Sequence, residues 1–152
     1  LLLLCEVSLL MFELADLKND VNILKELAVT CLDTPEGEET PKVIIQINDK
    51  TRREEAKLSK KHNHLVYKTG GDGAEFITDK SAYLSDMVDA CVKDSQGLFS
   101  NGGSPAEHDN KAFKTLLLRY PVFAAWFGNA LTDAFMEVSQ LKKAERDATA
   151  KN

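Results

Sequence analysis

The sequence predicts a mainly α-helical single domain, residues 1–152, built as an up-and-down bundle of four to five helices with a short strand as the alternative for residues 42–48. Three observations carry this expectation. Apolar residues recur at spacings of three and four along several stretches, and capping or glycine-rich signals separate those stretches. The composition, 43% hydrophobic with 28% charged residues, is that of a chain able to bury a core, where disordered chains lack the apolar surface to offset the entropy of ordering. A chain of this size hides about 70% of the surface it would expose unfolded.

The longest stripe is Leu3, Val7, Leu10, Leu14, Leu17, Val21, Leu24, Ala28 and Cys31, with Glu13, Asp16, Lys18, Asn22, Lys25 and Glu26 lying off it. This spacing predicts a first amphipathic helix ending near residue 31. Before residue 13, Leu1, Leu2, Leu4, Leu9, Met11 and Phe12 add apolar surface on the other faces, more than one helical edge buries. The surplus points to a protein partner, a homo-oligomer contact or a peripheral membrane surface, with Leu3, Val7, Leu10, Met11 and Phe12 as the contact residues. Glu6 and Glu13 interrupt the run short of the ~20 residues that cross a bilayer. The opening Leu1 to Cys5 without Met fits a processed product or an incomplete gene model, and Leu4 is not the small residue a lipoprotein signal wants before its cysteine.

Asp33 to Thr40 holds turn residues and four acids and reads as an exposed acidic loop, residues 33–40. In the next segment, Lys42 to Asn48 is β-branched enough for a strand, but Thr40-Pro41 is an N-cap followed by Pro at a first helical position, which tips the expectation to helix. Asp49 to His64 is polar and helix-prone, with Asp49 spaced for pairing with Arg52 and Arg53. Glycines break the chain at 69–74. A third helix is predicted over Asp79 to Ser95, with Tyr83, Leu84, Met87, Val88 and Cys91 as its apolar face.

A second glycine-rich loop, 97–103, leads to Ser104-Pro105-Ala106-Glu107. This has the form of a Ser cap, Pro at the first helical position and Glu three residues on, so it predicts the start of a fourth helix. That helix carries Phe113, Leu116, Leu117 and Tyr120 as far as Pro121, where a kink or break is expected because the residue before proline avoids the helical region. Phe123, Phe127, Leu131, Ala134, Val138 and Leu141 continue as a fifth helical stripe, with Lys142, Lys143 and Arg146 placed to complement its dipole. Tyr120, Phe123, Trp126, Phe127 and Phe135 hold nearly half of the aromatic residues and are the expected core anchors.

The net charge of -5 excludes a surface built wholly for nucleic acid. Locally, Lys50, Arg52, Arg53, Lys57, Lys60, Lys61 and Lys68 stand against Glu54 and Glu55, a net +5 that leaves -10 for the rest. Arg52, Arg53, Lys57, Lys60 and Lys61 are therefore the candidate anion-binding set, and His62 and His64 would add to it if protonated. No aromatic residue interleaves with these charges before Tyr67, so no base-stacking platform is visible and nucleic acid is the less favoured ligand.

Three letter patterns fail on chemistry. Lys60 to His64 spells H-N-H, but that nuclease motif disperses its residues through a hairpin and helix. Gly70 to Phe76 is similar to the GGDEF signature of diguanylate cyclases, with two residues inserted and no alternating α/β pattern around it. In a phosphate loop, Asp79 before Lys80-Ser81 would put a carboxylate where glycine is required. His108, between Glu107 and Asp109, is a third imidazole, expected to lie solvent-exposed in a helix's first turn. Cys5, Cys31 and Cys91 have no C-x-x-C spacing and read as reduced thiols. In a continuous first helix Cys5 and Cys31 would lie about 39 Å apart, so only a bond to Cys91 is open. No nucleophile elbow, zinc helix or calcium loop occurs, and neither a cofactor nor a metal is implied.

The function expected from these residues is that of a non-catalytic interaction or assembly protein, a subunit or accessory component of a larger and in one version membrane-associated complex. The alternative is a small anion- or nucleic-acid-binding protein or enzyme using the basic 50–68 segment.

Overall fold

A computed structural model describes residues 22–67 and 74–151. They form an α+β fold and not a helical bundle, so the all-α expectation is overturned. The order is β1 (Ile23–Ala28), β2 (Lys42–Ile47), α1 (Asp49–His62), β3 (Asn63–Tyr67), β4 (Ala74–Thr78), α2 (Lys80–Cys91), β5 (Val92–Gln96), β6 (Phe99–Asn101), β7 (Ser104–Ala106), α3 (Asn110–Arg119) and α4 (Pro121–Lys151). Three antiparallel strands make a sheet of order β1-β2-β5, while β3-β4 and β6-β7 are two-stranded ribbons.

The described part of the predicted first helix is strand. β1 pairs with β2 along its length, from Ile23 opposite Ile47 to Ala28 opposite Lys42. Its working period is two: Ile23, Lys25, Leu27 and Val29 turn to the covered side, whereas Leu24, on the expected helical stripe, is 64% exposed. Lys25 hides the alternation in the sequence, and its ammonium pairs with Glu137 of α4 at the sheet's edge. Leu3, Val7, Leu10, Met11 and Phe12 lie outside the described residues.

Lys42 to Ile47 is the central strand, the alternative named for this segment and not the helix that Thr40-Pro41 favoured. Val43, Ile45 and Ile47 are fully buried and alternate with half-buried Lys42, Ile44 and Gln46, a β-branched run that fits a sheet pleat better than a helical turn. Pro41 contributes its carbonyl oxygen to the amide of Val29 rather than opening a helix. On the other edge, β5 takes the residues once expected to finish the third helix. Its register slips between Ile44 and Ile45, and the extra residue lets Val92 and Ser95, three apart, both face inward.

The capping-box reading of Ser104 to Glu107 is also corrected. Gly102 and Gly103 both have positive φ, 59° and 84°, the backbone of a tight hairpin turn with two left-handed central residues, so Ser104–Ala106 returns alongside Phe99–Asn101 as β7. Helix α3 begins six residues later, capped by Asp109 accepting from the Lys111 amide. Helix α1 has a full capping box, Asn48 with Thr51, and Lys60, Lys61 and His62 in its last turn complement the dipole. The expected break at Pro121 is present, with Tyr120 closing α3 in extended geometry.

One face of the sheet is covered by helices. Leu27, Val29, Val43, Ile45 and Ile47 are buried with Leu84, Met87, Val88 and Cys91 of α2, Phe113 and Leu117 of α3, and Phe123, Phe127, Leu131, Ala134 and Val138 of α4. Phe113 lies edge-on to Phe123 and Phe127, at 5.3 and 5.0 Å between centroids, which fixes where α3 crosses α4.

Candidate functional site

Helix α4 buries one stripe in the core, and among the described residues the adjacent one is only partly covered. Pro121, Ala124, Ala125, Gly128, Thr132, Phe135, Met136, Ser139 and Gln140 recur along that second stripe and line two hollows that meet at Gly128 and Thr132. The larger, about 790 Å³, lies between α1 and α4. Arg52, Arg53 and Ala56 form one wall, Leu131, Phe135 and Met136 the other, and Tyr83 of α2 takes part in both hollows. The second, about 680 Å³, continues past Leu84, Leu117 and Leu118 toward Pro121. Met136 is 55% and Leu118 70% exposed, so the groove shows apolar surface to water at both ends.

Two hydrogen bonds frame it. Tyr83 donates its hydroxyl to Glu55 Oε1 at 2.9 Å, and burial together with that carboxylate pushes the phenol above its ordinary value, so it stays protonated and donating. At the far end the Arg52 guanidinium reaches Ser139 Oγ at 3.5 Å, joining α1 to α4. The groove therefore offers apolar surface beside Arg52 and Arg53, with the carboxylates of Asp49 and Glu55 in the same lining and Glu55 engaged by Tyr83.

The structure divides the predicted anion-binding set. Arg52 and Lys61 are nine residues apart, about 180° around a helix, and so point to opposite sides of α1. Arg52 and Arg53 line the groove, whereas Lys57 and Lys61 line a hollow of about 660 Å³ on the other side with Lys50, Lys93, Glu54, Asp86 and Asp89. Lys60 lines neither. The second hollow is mixed in charge. Asp86 accepts from buried His62 at 2.8 Å with Lys61 at 3.6 Å, contacts that hold its carboxyl below the ordinary range, the His62 bond foremost. Asp89 pairs with Lys114.

Sequence reading missed one arrangement that looks catalytic. Ser95 Oγ lies 2.7 Å from His108 Nδ1, and His108 Nε2 lies 2.5 Å from Asn110 Oδ1. An amide oxygen only accepts, so the proton sits on Nε2, and Nδ1 accepts from the serine. This is the connectivity of a nucleophile, base and orienting group. Yet Ser95 is 8% exposed on the sheet's inner face, His108 is wedged between the rings of Phe99 and Phe113, and none of the three hollows above is lined by it. With the serine enclosed on that face, the trio joins β5 to the start of α3 as a strut. The solvent exposure expected for His108 is accordingly corrected to half-burial.

Among the described residues no group of three His, Cys, Asp or Glu side chains converges as metal ligands, and no helix is long and apolar enough to cross a membrane. Cys31 and Cys91 are free thiols, and burial pushes Cys91 up to about 12. No family model, curated protein or solved structure matches the chain.

Proposed function

We propose that the chain is a non-catalytic interaction and assembly component whose groove along α4 receives an amphipathic helix, apolar on one face and acidic along one flank. The observation that carries this reading is the pairing of apolar surface, exposed Met136 and half-buried Phe135 above the core residue Leu131, with Arg52 and Arg53 along two joined hollows. Pro121 to Gln140 spans about 29 Å of helix, the length of five turns of a partner. Helix-in-groove recognition uses such apolar surface for affinity and flanking charges for orientation.

The test is a fluorescent synthetic helix of about 20 residues, Leu on one face and Glu along a flank, titrated against the full chain by anisotropy. Binding weakens about tenfold in Met136→Asp, whose side chain is exposed enough for the fold to tolerate the charge. Equal affinity in that variant overturns the reading.

A second reading, anion binding, rests on Lys50, Lys57, Lys61 and Lys93 around the hollow beyond α1. It predicts pyrophosphate binding that falls steeply with salt and with Lys57→Glu. Glu54, Asp86 and Asp89 stand in the same lining, and it holds no large exposed apolar side chain to match Met136.

A further inference from the structure

We propose that the chain carries a second docking surface, a hollow at the corner between α3 and α4 that takes a basic peptide by one large apolar side chain and sets the peptide's Lys and Arg residues against the acidic loop 33–40. It goes beyond the groove reading, because the hollow shares no lining residue with the groove and selects the opposite charge.

Three exposed apolar side chains converge there. Leu32, just past β1, is 44% exposed, Tyr120, between α3 and α4, 54%, and Val122, in the first turn of α4, 68%. They rim a hollow of about 230 Å³ whose remaining lining is Cys31, Leu98, Leu116 and Phe123. Phe123 is buried, and Cys31, Leu98 and Leu116 are half-buried against the core, so packing fixes the floor while the rim stands in water. The restart of the helix at Pro121, after Tyr120 in extended backbone, turns Tyr120 and Val122 outward together. Small-molecule sites run to about 300–1,000 Å³, and a hollow below that range suits the single anchor side chain of a larger partner.

Charge identifies what carries the anchor. Asp33, Glu36, Glu38 and Glu39 follow directly on Leu32, all are exposed, and the loop 33–40 holds no Lys or Arg. The loop is folded back on the sheet. The Glu38 amide donates to the Pro35 carbonyl at 3.1 Å, and the Pro41 carbonyl accepts from the Val29 amide at 2.8 Å. Ion pairs among the described residues engage Glu26, Asp86, Asp89 and Glu137, and none of the four loop acids. Arg119, beside Tyr120, is the cation that flanks the lining in sequence, so four acids against it leave a net charge of -3. A cationic partner relieves the repulsion among these carboxylates. Nucleic acid and anionic membranes are repelled by them, which leaves a basic protein segment.

The test uses a short fluorescent peptide with one central Phe among Lys, Arg, Gly and Ser, titrated against the full chain by anisotropy. Replacing that Phe by Ala in the peptide, or introducing Glu38→Lys/Glu39→Lys in the protein, is expected to weaken binding about tenfold. Cys31 gives a second readout because it lines the hollow. In Cys5→Ser, with Cys91 fully buried, the Phe peptide should slow the reaction of Cys31 with an aromatic disulfide reagent, and the Ala peptide at the same concentration should leave it unchanged.

Absence of binding overturns the proposal. Binding that responds to the charge reversal but not to loss of the Phe is attraction to the acidic loop alone, and it overturns the proposal as well. Phe-dependent binding that leaves Cys31 unprotected places the peptide elsewhere, with the same consequence. None of these outcomes bears on the groove reading, which stands or falls on the Glu-flanked helix and Met136→Asp.

Discussion

Tyr83 and Glu55 are joined by a 2.9 Å hydrogen bond that ties α2 to α1 beneath the groove. The bond is between a half-buried phenol and a half-buried carboxylate, so its loss leaves Glu55 free to rehydrate. Tyr83→Phe is expected to cost about 1 kcal/mol, a fall of roughly 2–4 °C in Tm for a chain of this size. Thermal unfolding followed by circular dichroism checks it. A change beyond experimental error in the opposite direction would show the bond to be strained rather than stabilising.

Asp86 makes stability depend on acid. Its carboxyl is held below the ordinary value by the His62 hydrogen bond and then by the Lys61 charge, so the folded state favours the ionised form. That contribution is fully present above the ordinary carboxylate value and is lost as pH falls through it to the lowered folded value. Asp86→Asn should therefore unfold more easily than the parent near neutral pH, with the difference shrinking as pH falls through and below that range. Urea midpoints of both proteins across pH 3 to 7 give the comparison, each about a bracket set by the ordinary carboxylate value. A difference independent of pH would assign the effect to packing.

Phe127 is fully buried and touches Phe113 and Trp126 with its ring. Replacing it with Ala removes the contact that seats α3 on α4 and opens a cavity, for an expected loss of about 3–5 kcal/mol. Chemical denaturation measures this directly, and a loss under about 1 kcal/mol would mean that the helices close over the gap.

Cys91 is sealed in the core and its thiol is pushed up to about 12 by burial, so it is expected to be inert to an aromatic disulfide reagent at neutral pH. Cys31 is half-exposed, with burial also raising it, and should react slowly. The reaction of Cys5→Ser/Cys31→Ser should then await unfolding, its rate following the opening of the core. Rapid labelling of that variant under native conditions would contradict the packing around α2.

Several elements were legible from residues alone because local forces decide them. Phe123, Phe127, Leu131, Ala134 and Val138 are buried in α4 as the stripe's spacing predicts, as are Leu84, Met87, Val88 and Cys91 in α2, while Tyr83 is half-buried and Leu141 at the stripe's end and the expected core anchor Tyr120 are exposed. Beyond the strand named as the alternative for residues 42–48, the sheet was not legible, for specific reasons. Lys25 occupies an inward-facing position of β1 because Glu137, 112 residues away, answers its charge, and that partner cannot be seen from the local pattern. Leu24, Ala28 and Cys31 happen to fall at helical spacing. In β5 the bulge sets Val92 and Ser95 three apart, a separation that reads as helix.

The hairpin before α3 was missed although a signal existed. Adjacent Gly102 and Gly103 suit a turn with two positive φ angles, and this outweighs the cap-like Ser104-Pro105 that follows. The site was legible in part. Arg52 and Arg53 were grouped with Lys57, Lys60 and Lys61 by proximity in sequence, but helical rotation sends them to different faces. The groove itself is built by Tyr83, Gly128 and Met136, which carry no local mark of function.

The most direct test of the groove is a charge exchange at its wall. Two synthetic helices with the same Leu face, one flanked by Glu and one by Lys, are titrated against the full chain and against Arg52→Glu/Arg53→Glu. The groove account predicts that the parent prefers the Glu-flanked helix about tenfold and that the double variant prefers the Lys-flanked one. The same preference in both proteins, or none in either, would contradict it.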